Sequence, residues 1–177
     1  MKTHLGVQGL TPPSEGMAIT IGTFDGVHLG HRALIADTLA DAERTGCASA
    51  AITWDRHPMA TLRPDKVPPL LSSIDRKREL ISTTGIDELL VLAFNERFSH
   101  MSPEDFVTDV LVDRLGVRSI RVGRDWRFGH RAAGDVDLLQ KMAADHGFEV
   151  VGAELVEMEG APVTSSRIRS AVGDGDV

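Results

Sequence analysis

Residues 18 to 35 read Ala-Ile-Thr-Ile-Gly-Thr-Phe-Asp-Gly-Val-His-Leu-Gly-His-Arg-Ala-Leu-Ile, and no other stretch narrows the fold as much. Ile19, Thr20 and Ile21 form a short apolar, β-branched run, the pattern of a buried strand. A turn with glycines at Gly22 and Gly26 follows. Then His28-Leu-Gly-His31 opens a helical pattern that places Leu34, Ile35, Leu39 and Ala42 on one face and stops at Gly46. Two histidines three residues apart, with a glycine before the second, therefore stand where a strand hands over to a helix. In an open α/β sheet ligands bind at the carboxyl ends of strands, and a helix start offers free N–H groups and a positive dipole end to phosphate.

The rest of the chain repeats this alternation. Strands are predicted at 48–54, 87–94, 117–122 and 149–155, and helices at 73–84 (Ser73 as N-cap), 102–115, 134–146 and 164–172. Ser102-Pro103-Glu104-Asp105 is a strong helix start, with a cap, a proline at the first position and acids in the first turn. Residues 1–17, with Gly9, Pro12, Pro13 and Gly16, read as an irregular lead-in with a short first strand. Residues 59–72, with Pro64, Pro68 and Pro69, read as a loop. Strands alternating with helices define an α/β protein, Rossmann-like, with an open, mostly parallel sheet and helices on both faces.

Composition limits what such a domain does. The 177 residues suit one domain of average make-up, 42% hydrophobic and 25% charged. A net charge of −7 argues against nucleic acid as the main partner. The single cysteine, Cys47, leaves no internal disulfide or cysteine-rich zinc site. No run approaches the ~20 apolar residues of a membrane span, and residues 1–7 lack a signal peptide's apolar core. The expectation is a cytoplasmic protein.

Four segments carry a resemblance. Gly22-Thr-Phe-Asp-Gly-Val-His-Leu-Gly-His31 resembles the HxGH signature of nucleotidylyltransferases, in the longer form found in bacterial FAD synthetases. Thr53-Trp-Asp-Arg-His-Pro58 resembles that family's F-D-P-H-P stretch. Val122-Gly-Arg-Asp-Trp-Arg-Phe-Gly129, with Ala133-Gly134-Asp135, resembles its V-G-x-D/N-F-x-F-G and A-G-D segment. Val163-Thr-Ser-Ser-Arg-Ile-Arg169 resembles its I-S-S-T-x-I-R motif. The segments occur in the family's order and span nearly the whole chain. Arg56 stands where the family usually has proline, Thr23 replaces asparagine or valine, and Arg124 and His130-Arg131 are further departures.

The resemblance implies transfer of AMP from MgATP to the phosphate of FMN, giving FAD and pyrophosphate, with no covalent enzyme intermediate. It implies that His28, His31, Ser165 and Arg167 act on the phosphates. Gly22, Thr23, Phe24 and Gly30 would line the nucleotide cleft, with Thr164 and Ser166 beside the phosphates. Asp55 and His57 would lie near the flavin phosphate, and Asp125 and Phe128 on the substrate side. Magnesium would arrive with ATP, with no metal site built from side chains. Residues 1–172 would be the adenylyltransferase domain and 173–177 the start of a linker toward a riboflavin kinase module, whose activity is not expected of these residues. The same fold acting on another phosphorylated acceptor, or an inactive flavin- or nucleotide-binding module, are the alternatives.

Overall fold

The computed structural model describes residues 1–7 and 13–176; Gly9 and Pro12 of the expected lead-in lie outside the described residues. Six strands, β1 (Lys2–Leu5), β2 (Met17–Ile21), β3 (Ala48–Trp54), β4 (Glu88–Leu92), β5 (Val117–Gly123) and β6 (Glu149–Ala153), form one sheet in the order β1-β4-β3-β2-β5-β6. Every pairing in it is parallel. From β2 the chain steps outward through β3 to β4, then returns past β2 to lay down β5 and β6. The reversal leaves a crevice at the carboxyl ends of β2 and β5, the place where such sheets take ligands.

Parallel strands are covered on both faces, so they read as continuous apolar runs. All five residues of β2 are buried. Alternation along β3 and β4 divides the core in two: Ala50, Ile52, Trp54, Leu90 and Leu92 face one cluster, while Ala51, Leu89 and Val91 face the other. The first is covered by Phe106, Val107, Val110, Leu111 and Leu139; the second by Ile35 of α1 (Leu29–Thr45) and Ile81 of α3 (Ile74–Ser82). Helices thus lie on both faces, as the patterning requires. Asp41 of α1 fixes that helix to β5 through two bonds from Arg121, at 2.6 and 2.9 Å.

Several expected elements change in detail. Within the expected 59–72 loop lie a helical turn, α2 (Met59–Leu62), and a 3₁₀ turn, Pro64–Lys66. Pro58 and Pro64 sit at helix starts, where proline's fixed φ helps and its missing N–H costs nothing. A short helix, α4 (Glu96–Ser99), is initiated by Asn95, whose side chain accepts from Phe98 N at 2.9 Å. The helix begun at Ser102, α5 (Pro103–Asp105), widens into i→i+5 turns over Phe106–Val112. Its successor α6 (Val136–His146) is capped by Asp135, and β6 ends at Ala153, before a hairpin of β7 (Glu157–Met158) and β8 (Ala161–Pro162). The last helix, α7 (Ser165–Asp174), runs two residues beyond the helix end expected at 172.

Two glycines separate backbone freedom from space. Gly46 has φ +68° and open space where a Cβ would point, whereas Gly129 has φ +72° and ψ 179°, and a Cβ there would lie 2.5 Å from Pro103 Cγ. The second conformation is essentially confined to glycine. Gly46→Ala is expected to lower stability by about 1 kcal/mol. Gly129→Ala is expected to cost about 3 kcal/mol or more, strain and clash adding. Urea unfolding of the two variants checks the difference.

Candidate active site

The turn between β2 and α1 is strained, and its middle is buried. Phe24 (φ +48°) and Val27 (φ +42°) hold left-handed backbone, which a β-branched residue rarely adopts, and they are 0% and 1% exposed. Between them Asp25, 3% exposed, is the fixing point. Its carboxylate accepts from Leu71 N, from Ser72 N at 3.0 Å and from Ser72 Oγ, and receives Arg169 Nη2 at 2.7 Å. Gly26 N donates to Ser72 Oγ at 3.0 Å. Burial pulls the Asp25 carboxyl upward, but the donors from Leu71, Arg169 and Ser72 outweigh it and hold it below the ordinary carboxylate value.

At the end of this turn α1 begins without a side-chain cap or an acid in its first turn, so its leading N–H groups carry the positive dipole end uncompensated. His28 and His31 stack at 3.6 Å between centroids, and His31 meets the edge of Phe24 at 5.2 Å. Nδ1 of each histidine is buried with no hydrogen-bond partner among the described residues. A Cβ on Gly30 would come within 3.3 Å of the His28 ring and 3.4 Å of Val163 O, so glycine lets the two helix starts close on each other. Ser165 Oγ donates to Asp25 O at 3.2 Å, and Thr164 caps α7 by accepting from Arg167 N.

These groups open onto a cavity of about 570 Å³. Its walls include Gly22, Thr23, Phe24, His28, Gly30, His31, Asp125, Phe128, Thr164 and Ser165, so ten of the residues expected from sequence converge. The lining is also rich in aromatic rings: Trp54, Phe94, Phe98, Phe106, Trp126 and Phe128. Trp126 and Phe128 stack at 4.7 Å, and Gly134, whose Cβ would lie 2.8 Å from the Phe128 ring, makes room for that ring.

Four expected residues do not line this cavity. Arg167 Nη1 instead donates to Met158 O at 3.0 Å and Ala161 O at 2.9 Å, holding the β7–β8 hairpin. Ser166 is exposed. Asp55 accepts from Phe94 N at 2.9 Å, and His57 Nδ1 accepts from Met59 N at 3.2 Å, so both organise the loops after β3 and β4. Sequence reasoning did not single out Asp25, Ser72, Lys77 or Arg169, nor the ring cluster of Trp54, Phe94, Phe98 and Phe106. Lys77 is buried on α3 with its ammonium 3.3 Å from Thr53 Oγ1. Among the described residues no group of three or more His, Cys, Asp or Glu side chains is placed to hold a metal, and no helix is long and apolar enough to cross a membrane.

A doubly wound parallel sheet with a His-Leu-Gly-His helix start and an aromatic-lined cavity at its switch point defines an open α/β protein with its crevice where such sheets take ligands. The particular family follows from comparison. The chain belongs to the FAD synthetase family, whose model matches residues 11–167. It is 37% identical over 99% of its length to a bifunctional riboflavin kinase/FMN adenylyltransferase from Pseudomonas fluorescens, covering 56% of that protein. The protein of the same name from Escherichia coli K12 is 32% identical over 100% of this chain and 57% of its own length. The chain thus spans about half the length of these curated relatives. A crystal structure described as a macrolide-efflux protein from Streptococcus pneumoniae shares the fold, with a TM-score of 0.84 at 23% identity over 99% of this chain and 58% of that one.

The site has a pH signature. Burial, with the charges of His28 and Lys77, pushes His31 down to about 3 against the pull of Asp25; burial also lowers His28 and His57. The unfolded chain takes up these protons below about pH 6.5 while the folded state does not, so stability falls as pH drops through that value. Asp25 and Asp41, held low, lose their contribution only below about pH 4. Urea unfolding is expected to show a loss between pH 7 and pH 5. His31→Gln should reduce that loss by about 1–2 kcal/mol.

Proposed function

We propose that this chain transfers AMP from MgATP to the phosphate of FMN, releasing FAD and pyrophosphate. The observation that carries the reading is that an uncapped α1 start and two stacked imidazoles line the same cavity as a cluster of aromatic rings. Membership of the FAD synthetase family supports it, as do relatives named FMN adenylyltransferases. Anionic phosphates suit the helix start and the imidazole donors, and flat apolar rings suit the aromatic wall.

Phosphoryl chemistry of this kind needs positioning and charge stabilisation more than covalent participation. The FMN phosphate attacks the α-phosphorus in line as the bond to pyrophosphate breaks. His28 and His31 donate to oxygens on which negative charge grows, and Gly30 lets the phosphate approach the helix backbone. Gly22, Thr23 and Phe24 border the nucleotide through their backbone, Thr164 and Ser165 bring hydroxyls to the phosphates, and Asp125 and Phe128 face the ring-binding side. Asp55 and His57 shape the acceptor side from behind the cavity wall. Arg167 supports the phosphate region by holding the hairpin that precedes α7, and Ser166 lies on that helix's outer side. Magnesium enters as part of the ATP substrate, its ordinary mode in nucleotide sites. Residues 1–172 are assigned this single step in the cytoplasm, and the riboflavin kinase activity in the relatives' names is not assigned to them.

The test is a panel of FMN, phosphopantetheine and nicotinamide mononucleotide with ATP and magnesium; FMN is expected to be consumed with pyrophosphate release. Turnover of another acceptor in preference to FMN, or binding without pyrophosphate release, overturns the proposal. His28→Ala is expected to lower kcat by roughly 100-fold or more, the usual effect of a lost transition-state donor, while FMN affinity changes little. Steady-state kinetics and FMN titration measure the two effects separately.

A further inference from the structure

Lys77 occupies a position its helix would ordinarily give to an apolar residue. Ile74, Lys77 and Ile81 are spaced three and four apart along α3, one stripe of the helix, and Lys77 and Ile81 are its buried residues. Lys77 is 8% exposed, yet it forms no ion pair among the described residues. The acids whose charges reach it, Asp25 and Asp55, are bonded elsewhere, to Arg169 and Arg56. Its ammonium donates to Thr53 Oγ1 at 3.3 Å, and Thr53 Oγ1 donates onward to Thr23 O at 3.1 Å. An ammonium buried with so little compensation weakens a fold, so stability does not explain it.

We infer, resting on the adenylyl-transfer reading, that Lys77 is a positioning residue: through Thr53 it fixes the Thr23 carbonyl and so holds the strained turn that presents His28 and His31. An ammonium only donates, so Thr53 Oγ must accept from it and turn its own hydrogen to Thr23. The chain Lys77–Thr53–Thr23 therefore has one direction, set by the charge. Its second effect is electrostatic. His31 is faced by Asp25, His28 and Lys77, and His57 by Arg169, Asp25 and Lys77. In both cases the Lys77 charge favours the neutral imidazole.

Lys77→Met keeps the stem and removes the donor and the charge; Lys77→Arg keeps a charge. Lys77→Met is expected to unfold in urea at or above the wild-type midpoint. Its kcat for FMN adenylylation should fall by roughly tenfold or more, as small misplacements of reacting groups do, with KM for FMN shifting less. His31, followed by NMR in the ligand-free protein, should titrate closer to an ordinary histidine in Lys77→Met, and lower again in Lys77→Arg. A lowered midpoint with unchanged His31 titration makes Lys77 a scaffold residue and overturns the inference, as does unchanged kcat. If the wild-type protein itself fails to convert FMN, the functional reading falls, while the ligand-free titration still decides the part played by Lys77.

Discussion

One buried carboxylate sets the arrangement of everything at the carboxyl edge of the sheet. Asp25 receives donors from Leu71 and Ser72, 46 and 47 positions on, and from Arg169, 144 positions on. An uncompensated charge at that depth would cost several kcal/mol, so the carboxylate is stable only when all three segments are in place. The turn carrying the histidines, the entry to the helix carrying Lys77, and α7 with Thr164 and Ser165 at its start are therefore located by the same group. Arg169 extends the tie through Nε to Pro69 O at 2.8 Å. The site is assembled by folding itself.

That convergence explains which parts of the molecule could be read from the chain. Strand runs and caps are local: Ser73 accepts from Arg76 N and Ser102 from Asp105 N, each three residues on, as the spacing predicts. The histidine turn was legible because strand, glycines and helix start are contiguous. Lys77 was concealed in the run Asp75-Arg-Lys-Arg-Glu79, where a solvated face is the ordinary reading, although the Ile74–Lys77–Ile81 spacing held the signal. Arg167 and Arg169 illustrate a limit of a different kind. Residues two apart on a helix point to different sides. Only one of the pair can face the turn, and the motif does not say which. Arg169 takes the turn and Arg167 takes the hairpin carbonyls.

The aromatic wall was legible only in part. Trp126 and Phe128 lie two residues apart in one segment, and their alternation was visible. Trp54, Phe94 and Phe98 come from the end of β3, the loop after β4 and helix α4, and they meet at 5.2 to 5.6 Å between ring centroids. Only the sheet order, which lays β3 beside β4, brings those positions to one edge. α4 itself depends on Asn95 capping Phe98, a three-residue signal short enough to pass for a turn.

The strain at Phe24 and Val27 completes the picture. Left-handed backbone at two non-glycine residues costs of the order of 1–3 kcal/mol each. Full burial of both side chains in the second core cluster, and the hydrogen bonds converging on Asp25, offset it. The chain thereby turns sharply enough for α1 to start beside the cavity with no side chain bonded to its leading N–H groups. Donors that already occupy their positions need no reorganisation when charge develops on a phosphate, which is where electrostatic catalysis gains its strength. The ordering cost of the turn is thus carried by the folded core, so under the proposed adenylyl transfer the phosphates would meet donors already in place.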